Sequence, residues 1–190
     1  TKLITIKPVP GKLKLSQLSA RGLPRSDMLG ESDPYLRIFL GDEEVRTEII
    51  MDTSKPVWND QVAFEVEDVF QSCLFIFCYD WNEHDAHKLI CMTRIHLAEI
   101  VGDADENGKL VRLQKMLESE LFVKMSRGDK ARPVRHEHKI IWDDWLGMRW
   151  RNGELPKLTG QLGSLHLHLE LETEFRHDAD FLEVQAVALG

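Results

Sequence analysis

The sequence predicts an all-β fold: an eight-stranded antiparallel β-sandwich, with an inserted helix and a basic loop before the last two strands. Three observations predict it. Short runs alternate apolar and polar residues with the period of a half-buried strand. Turn residues separate these runs at close spacing, as in sandwiches. A sustained helical period lies in the middle of the chain, which marks an amphipathic helix among the strands.

The elements follow in order. Leu13, Leu15 and Leu18 alternate with Lys14 and Ser16. Residues 35–40 (YLRIFL) are apolar apart from Arg37. Residues 44–50 alternate Val45, Thr47 and Ile49, and residues 61–66 alternate Val62, Phe64 and Val66. Residues 73–79 (CLFIFCY) are apolar throughout and suit a central strand; residues 89–96 follow as its neighbour. Gly22-Leu23-Pro24, Gly30, Gly41-Asp42 and Lys55-Pro56 supply the turns.

The character then changes. Residues 102–108 form an acidic loop, and residues 110–125 place Leu110, Leu113, Met116, Leu117 and Leu121 at helical spacing. Packing on the sandwich is the reading for this helix, because Glu118 and Glu120 dilute Arg112, Lys115 and Lys124 on its polar face. Residues 124–139 are basic: Lys124, Arg127, Lys130, Arg132, Arg135 and Lys139 face only Asp129 and Glu137. Pro133 and the lack of a period make this a loop, and a candidate docking site for acidic lipid headgroups or a protein partner. Residues 140–150 (IIWDDWLGMRW) read as a strand that closes the core. Residues 163–174 alternate Leu165, Leu167, Leu169 and Leu171 with His166, His168, Glu170 and Glu172, a half-buried strand. One domain therefore spans residues 1–174, with an insert at about 102–139 and a tail or linker at 175–190.

Composition narrows the function. At 190 residues and 43% hydrophobic, the chain can bury one core. A net charge of -8 excludes a general nucleic-acid binder, which needs clustered cations. Cys73, Cys78 and Cys91 are odd in number and lie in or near apolar runs, so they read as buried thiols of a reducing, cytoplasmic compartment. No run approaches ~18 apolar residues, so no membrane-spanning helix is expected. The chain starts at Thr1 and reads as a piece of a larger protein.

Two loop segments carry unusual carboxylates: residues 23–35 and residues 79–88. If both lie at one end of the sandwich, Asp27, Asp33, Asp80, Asn82 and Asp85 converge. Oxygen-only ligands of high negative charge point to calcium.

At this point the sequence resembles the C2 domain family. Gly22-Leu23-Pro24, Asp27, Gly30 and Ser32-Asp33-Pro34-Tyr35 are similar to its first calcium-loop region. Lys55-Pro56-Val57-Trp58-Asn59-Asp60 resembles its Asn-Pro-x-Trp-Asn-Glu turn, with Lys55 and Asp60 as departures. Tyr79-Asp80-Trp81-Asn82 resembles its third-loop motif. The resemblance implies that Asp27, Asp33 and Asp80 fall on calcium ligand positions. It places Asn82 and Lys88 on two further positions that are aspartate in the family, with Asp85 as an auxiliary oxygen. At ~4 kcal/mol per close charge pair, these changes weaken the site to one loosely held calcium ion or none.

The resemblance further implies that the loop-tip residues Met28 and Leu29 insert into lipid. The strand matching the family's basic face reads Glu43-Glu44-Val45-Arg46-Thr47-Glu48 and is not polybasic. The implied function is a peripheral membrane module of a membrane-traffic or exocytosis protein, binding anionic phospholipid. The alternative is a calcium-independent protein-interaction or scaffold domain with a degenerate metal site. A third idea is a targeting domain for an enzyme elsewhere in the same chain. Catalysis by this segment is not expected: His84, Asp85, His87 and His136-Glu137-His138 lack metalloenzyme spacing, and no Gly-x-Ser-x-Gly or P-loop occurs.

Overall fold

The computed structural model describes residues 8–24, 31–103, 134–136, 139–148 and 163–173. Each alternating run becomes a strand with one face in the core. β1 (Gly11–Arg21) buries Leu13, Leu15, Leu18 and Ala20. β2 (Pro34–Leu40) buries Leu36, Ile38 and Leu40 and turns through Gly41-Asp42 into β3 (Glu43–Arg46). β4 (Val57–Trp58) and β5 (Val62–Val66) follow, then β6 (Cys73–Asp80) and β7 (Lys88–His96). A short helix, α1 (Leu97–Asp103), precedes β8 (Val134–His136), β9 (Lys139–Gly147) and β10 (Ser164–Thr173).

The strands form two antiparallel sheets. One has the order β4-β1-β10-β9-β8, with β5 also on β1; the other has the order β3-β2-β6-β7. Leucines 165, 167, 169 and 171 of β10 are fully buried and face a core that includes Leu36, Ile38, Leu74, Ile76 and Ile95. Each such side chain contributes roughly 1.5–3 kcal/mol by leaving water. Among the described residues the last strand, β10, lies between β1 and β9.

Ten strands occur among the described residues, against eight expected. β4 and β5 account for part of this, because both pair with β1 and are separated by a break at residues 59–61. Taken as one interrupted strand, they leave the eight expected strands plus the three-residue β8. The break matches a β1 bulge between Ser16 and Ser19, where Gln17 adopts φ 52.

The expected alternation to residue 50 is corrected: β3 ends at Arg46. Thr47 Oγ1 accepts the Leu36 N–H at 2.9 Å, so a hydroxyl replaces a ladder carbonyl there. α1 is an addition that the sequence reading did not include. Leu97, Ile100 and Val101 have the helical i, i+3, i+4 spacing and are all buried. The basic run is also corrected at its end, since Arg135 lies on β8 and Lys139 on β9, not in a loop. The expected helix at residues 110–125 and the tail at 175–190 lie outside the described residues.

One glycine is conformationally required. Gly163 sits at φ +97, and an added Cβ would lie 2.9 Å from the Arg21 carbonyl oxygen and 3.0 Å from that of Gly22. Gly163→Ala is expected to lower stability by about 1–3 kcal/mol in a denaturant melt. Gly147→Ala, where a Cβ meets nothing within 4 Å, serves as the neutral control. Equal melts for the two variants would show that the Gly163 contact is not limiting.

Candidate functional site at the loop pole

Strand direction alternates in each antiparallel sheet. The connections after β1, β3, β6 and β9 therefore emerge at one end of the sandwich. Three of these connections are joined by hydrogen bonds. The Asp33 N–H donates to Asp80 Oδ1 at 2.7 Å, and the Trp81 N–H donates to the Asp33 carbonyl at 3.0 Å. The Asp52 N–H donates to Asp33 Oδ1 at 2.6 Å, and the Glu31 N–H donates to Asp52 Oδ1 at 3.1 Å. The two carboxylate-bearing segments thus meet at Asp33 and Asp80.

Asp80 ends the core-facing row of β6 and is only 3% exposed. It stays buried because its carboxylate has the Asp33 N–H to accept from. It also lies opposite Pro34 of β2 and Lys88 of β7. Asn82, two residues further on, is half-buried, and its Nδ2 is a buried atom with no hydrogen-bond partner among the described residues. Rotating that amide by a half-turn would bring Oδ1, a ligand oxygen, to the same position. Asp85 is exposed. Asp27, Met28 and Leu29 lie outside the described residues.

The donors fit calcium in kind, being oxygens. Among the described residues, no three His, Cys, Asp or Glu side chains form a group that could hold a metal ion. Lys88 enters β7 directly across from Asp80, where the family resemblance placed an anion.

Sequence reasoning missed Asp52 and Glu31, which join the second connection to the first. Asp52 adopts φ 49, a conformation that Asp tolerates better than most residues. Its type was a signal, but its contact with Asp33 was not legible locally.

The basic candidates divide. Lys139 Nζ lies 2.6 Å from Glu170 Oε2, an ion pair across β9 and β10. The main chain of Arg135 pairs with Ile140. Lys124, Arg127, Lys130 and Arg132 lie outside the described residues.

The outward face of the four-stranded sheet is not a free basic surface either. Arg37 Nε and Arg46 Nε donate to the same Glu44 oxygen at 2.6 and 2.7 Å. The Arg37 guanidinium, then that of Arg46, pulls the Glu44 carboxyl down to about 2. Aromatic rings line part of this face: Tyr35 stacks on Tyr79 at 5.8 Å, and Phe75 stacks on Phe77 at 6.4 Å. All three cysteines are free thiols; Cys78 and Cys91 are fully buried across from one another, and Cys73 is half-buried. No helix among the described residues is long and apolar enough to cross a membrane.

Together the fold and the site define a β-sandwich module whose polar chemistry sits in loops gathered at one pole. A family model for the C2 domain matches residues 11–115, and the chain belongs to the C2 domain family. It is similar to Synaptotagmin-4 of Arabidopsis thaliana, with 35% identity over 101 residues, or 52% of this chain and 18% of that protein. It is 30% identical over 141 residues to Synaptotagmin-2 of the same plant, covering 73% of this chain and 26% of that protein. The chain thus spans about a quarter or less of these relatives. A solved C2 domain of plant Extended Synaptotagmin 1 superposes with a TM-score of 0.58 over 87% of this chain and 97% of that domain. At 19% identity, that likeness is one of fold.

Proposed function

We propose that this domain is a peripheral membrane-docking module of a larger membrane-traffic protein, and that its loop pole meets anionic phospholipid. The observation that carries the reading is the union of the acidic loops through the Asp33 N–H and the Asp80 carboxylate. An acidic pole repels anionic lipid unless a cation intervenes. Calcium held by Asp33 and Asp80, with Asp27 and the Asn82 oxygen, would reverse that sign and leave coordination positions for lipid phosphate. Met28 and Leu29 are the residues proposed to enter the bilayer.

Lys88 opposite Asp80 favours a second reading. In it, the lysine does part of the cation's work and the domain docks without calcium, on a protein or on acidic lipid. The docking role is non-catalytic in both readings.

Co-sedimentation with phosphatidylserine–phosphatidylcholine vesicles separates the two. Calcium-dependent docking predicts at least about tenfold tighter binding in calcium than in chelator, lost in Asp33→Asn; tenfold corresponds to about 1.4 kcal/mol. Binding that is equal in calcium and chelator but falls with salt selects the second reading. No binding in either condition would overturn the membrane role.

A further inference from the structure

The outward face of β9 and β10 carries a cluster that the loop pole does not use. His166 and His168 stand two residues apart on one side of β10, and Asp143 of β9 lies opposite His168. Asp143 Oδ1 is 2.8 Å from His166 Nε2, and its Oδ2 is 3.1 Å from His168 Nδ1. The other ring nitrogens also face oxygens. His166 Nδ1 is 3.0 Å from the Gln17 carbonyl, and His168 Nε2 is 3.4 Å from Glu170 Oε1.

All four partners are acceptors without a proton to give. A neutral imidazole has one N–H, so each ring would leave one nitrogen lone pair against an oxygen. The imidazolium form alone makes all four bonds. We propose that His166, His168 and Asp143 form a proton-binding latch, which closes β10 onto the β1 bulge in mild acid and loosens it as pH rises.

The bulge gives the latch a consequence. Gln17, whose carbonyl His166 holds, is the left-handed residue at the β1 register shift. Before the bulge β1 pairs with β5, up to Leu15 opposite Val62; after it β1 pairs with β4, from Leu18 opposite Trp58. The strand then runs through Arg21 into the first loop of the acidic pole. Proton uptake therefore fixes the part of β1 that carries this loop. The cluster stands on β9 and β10 and does not depend on the membrane reading.

Among the described residues, other charges nearby have partners of their own. Lys139 pairs with Glu170 at 2.6 Å, and Lys14 of β1 lies 3.8 Å from Glu172. From the β1 end, the Arg21 guanidinium stacks 3.9 Å over the Trp145 ring, which in turn lies 5.2 Å from the His166 ring. Burial alone would raise the Asp143 carboxyl, but the hydrogen bonds to His166 and His168 outweigh it and hold the group below its ordinary value. The sign follows for Asp143: its contribution is present above the unfolded carboxylate range and is lost as pH falls through its lowered folded value. The carboxylate that both rings face therefore stays ionised below the ordinary carboxylate range.

Two measurements on the full chain test it. The first is the difference in melting temperature between pH 5.5 and pH 7.5, for wild type and for the His166→Gln, His168→Gln double variant. Wild type is expected to gain at least about 3 °C more than the variant on acidification. The other histidines contribute equally to both proteins and cancel. The second is Trp145 emission against pH, isolated by subtracting a Trp145→Phe protein. It is expected to change with histidine protonation in wild type and to stay flat in His166→Gln and in Asp143→Asn. An equal pH difference in the two melts, or Trp145 emission that titrates alike in wild type and Asp143→Asn, would overturn the latch.

Discussion

Trp58→Ala is expected to destabilise the domain by about 3–5 kcal/mol, more than any other single change considered. Trp58 is 1% exposed and is among the largest fully buried side chains. It stands on the two-residue β4, which pairs with β1 at Leu18–Trp58 and Ser19–Val57, flanked by the Ala20 N–H donating to the Pro56 carbonyl. The indole is therefore the main anchor of that strand, and its loss removes both packing and pairing. Trp58→Phe should behave differently. The indole Nε1 has no hydrogen-bond partner among the described residues, so removing the N–H gives up no bond and relieves a buried donor. The expected cost is that of the volume change alone, under about 2 kcal/mol. Urea midpoints of the two variants check the argument. If Phe costs as much as Ala, an interaction of the indole N–H carries the position, and packing does not.

The sequence made much of this fold legible for a simple reason. Strands with one face in a core must alternate, and residues 164–173 do so across their whole length, while residues 73–79 read as a strand from their unbroken apolar run. The family motifs around Asp33, Trp58 and Asp80 are likewise local, and each falls where the structure needs it. What escaped was non-local. Period-two patterning continues past Arg46, and nothing in that run says that the Thr47 hydroxyl will take the Leu36 N–H. The charge run 124–139 does not reveal the contact of Lys139 with Glu170, which arises only through the β9–β10 register. The same register makes a cluster of Asp143 and His166, which are 23 residues apart in sequence. α1 was missed because a seven-residue helix offers only two turns of pattern and follows a strand without a break.

Asp80 separates what the pole does for the fold from what it does for a cation. Asp80→Ala is expected to cost about 1–3 kcal/mol, because the Asp33 N–H loses its acceptor at a buried position. For a chain of this length that is a fall of about 2–4 °C in melting temperature per kcal/mol. Asp80→Asn keeps an acceptor oxygen of the same shape, so it should retain stability to within about 1 kcal/mol. The two variants should then agree on calcium and disagree on stability. Each removes one negative charge from the pole opposite Lys88, and calcium affinity follows ligand charge. Calorimetry on the three proteins, with melts alongside, reads both quantities. Calcium heat in wild type, absent from both variants while Asp80→Asn melts normally, would assign Asp80 a metal role beyond its structural one. Identical calcium heats in all three proteins would mean that Asp80 serves only to tie the first loop to β6, and the calcium-independent reading of the pole would stand.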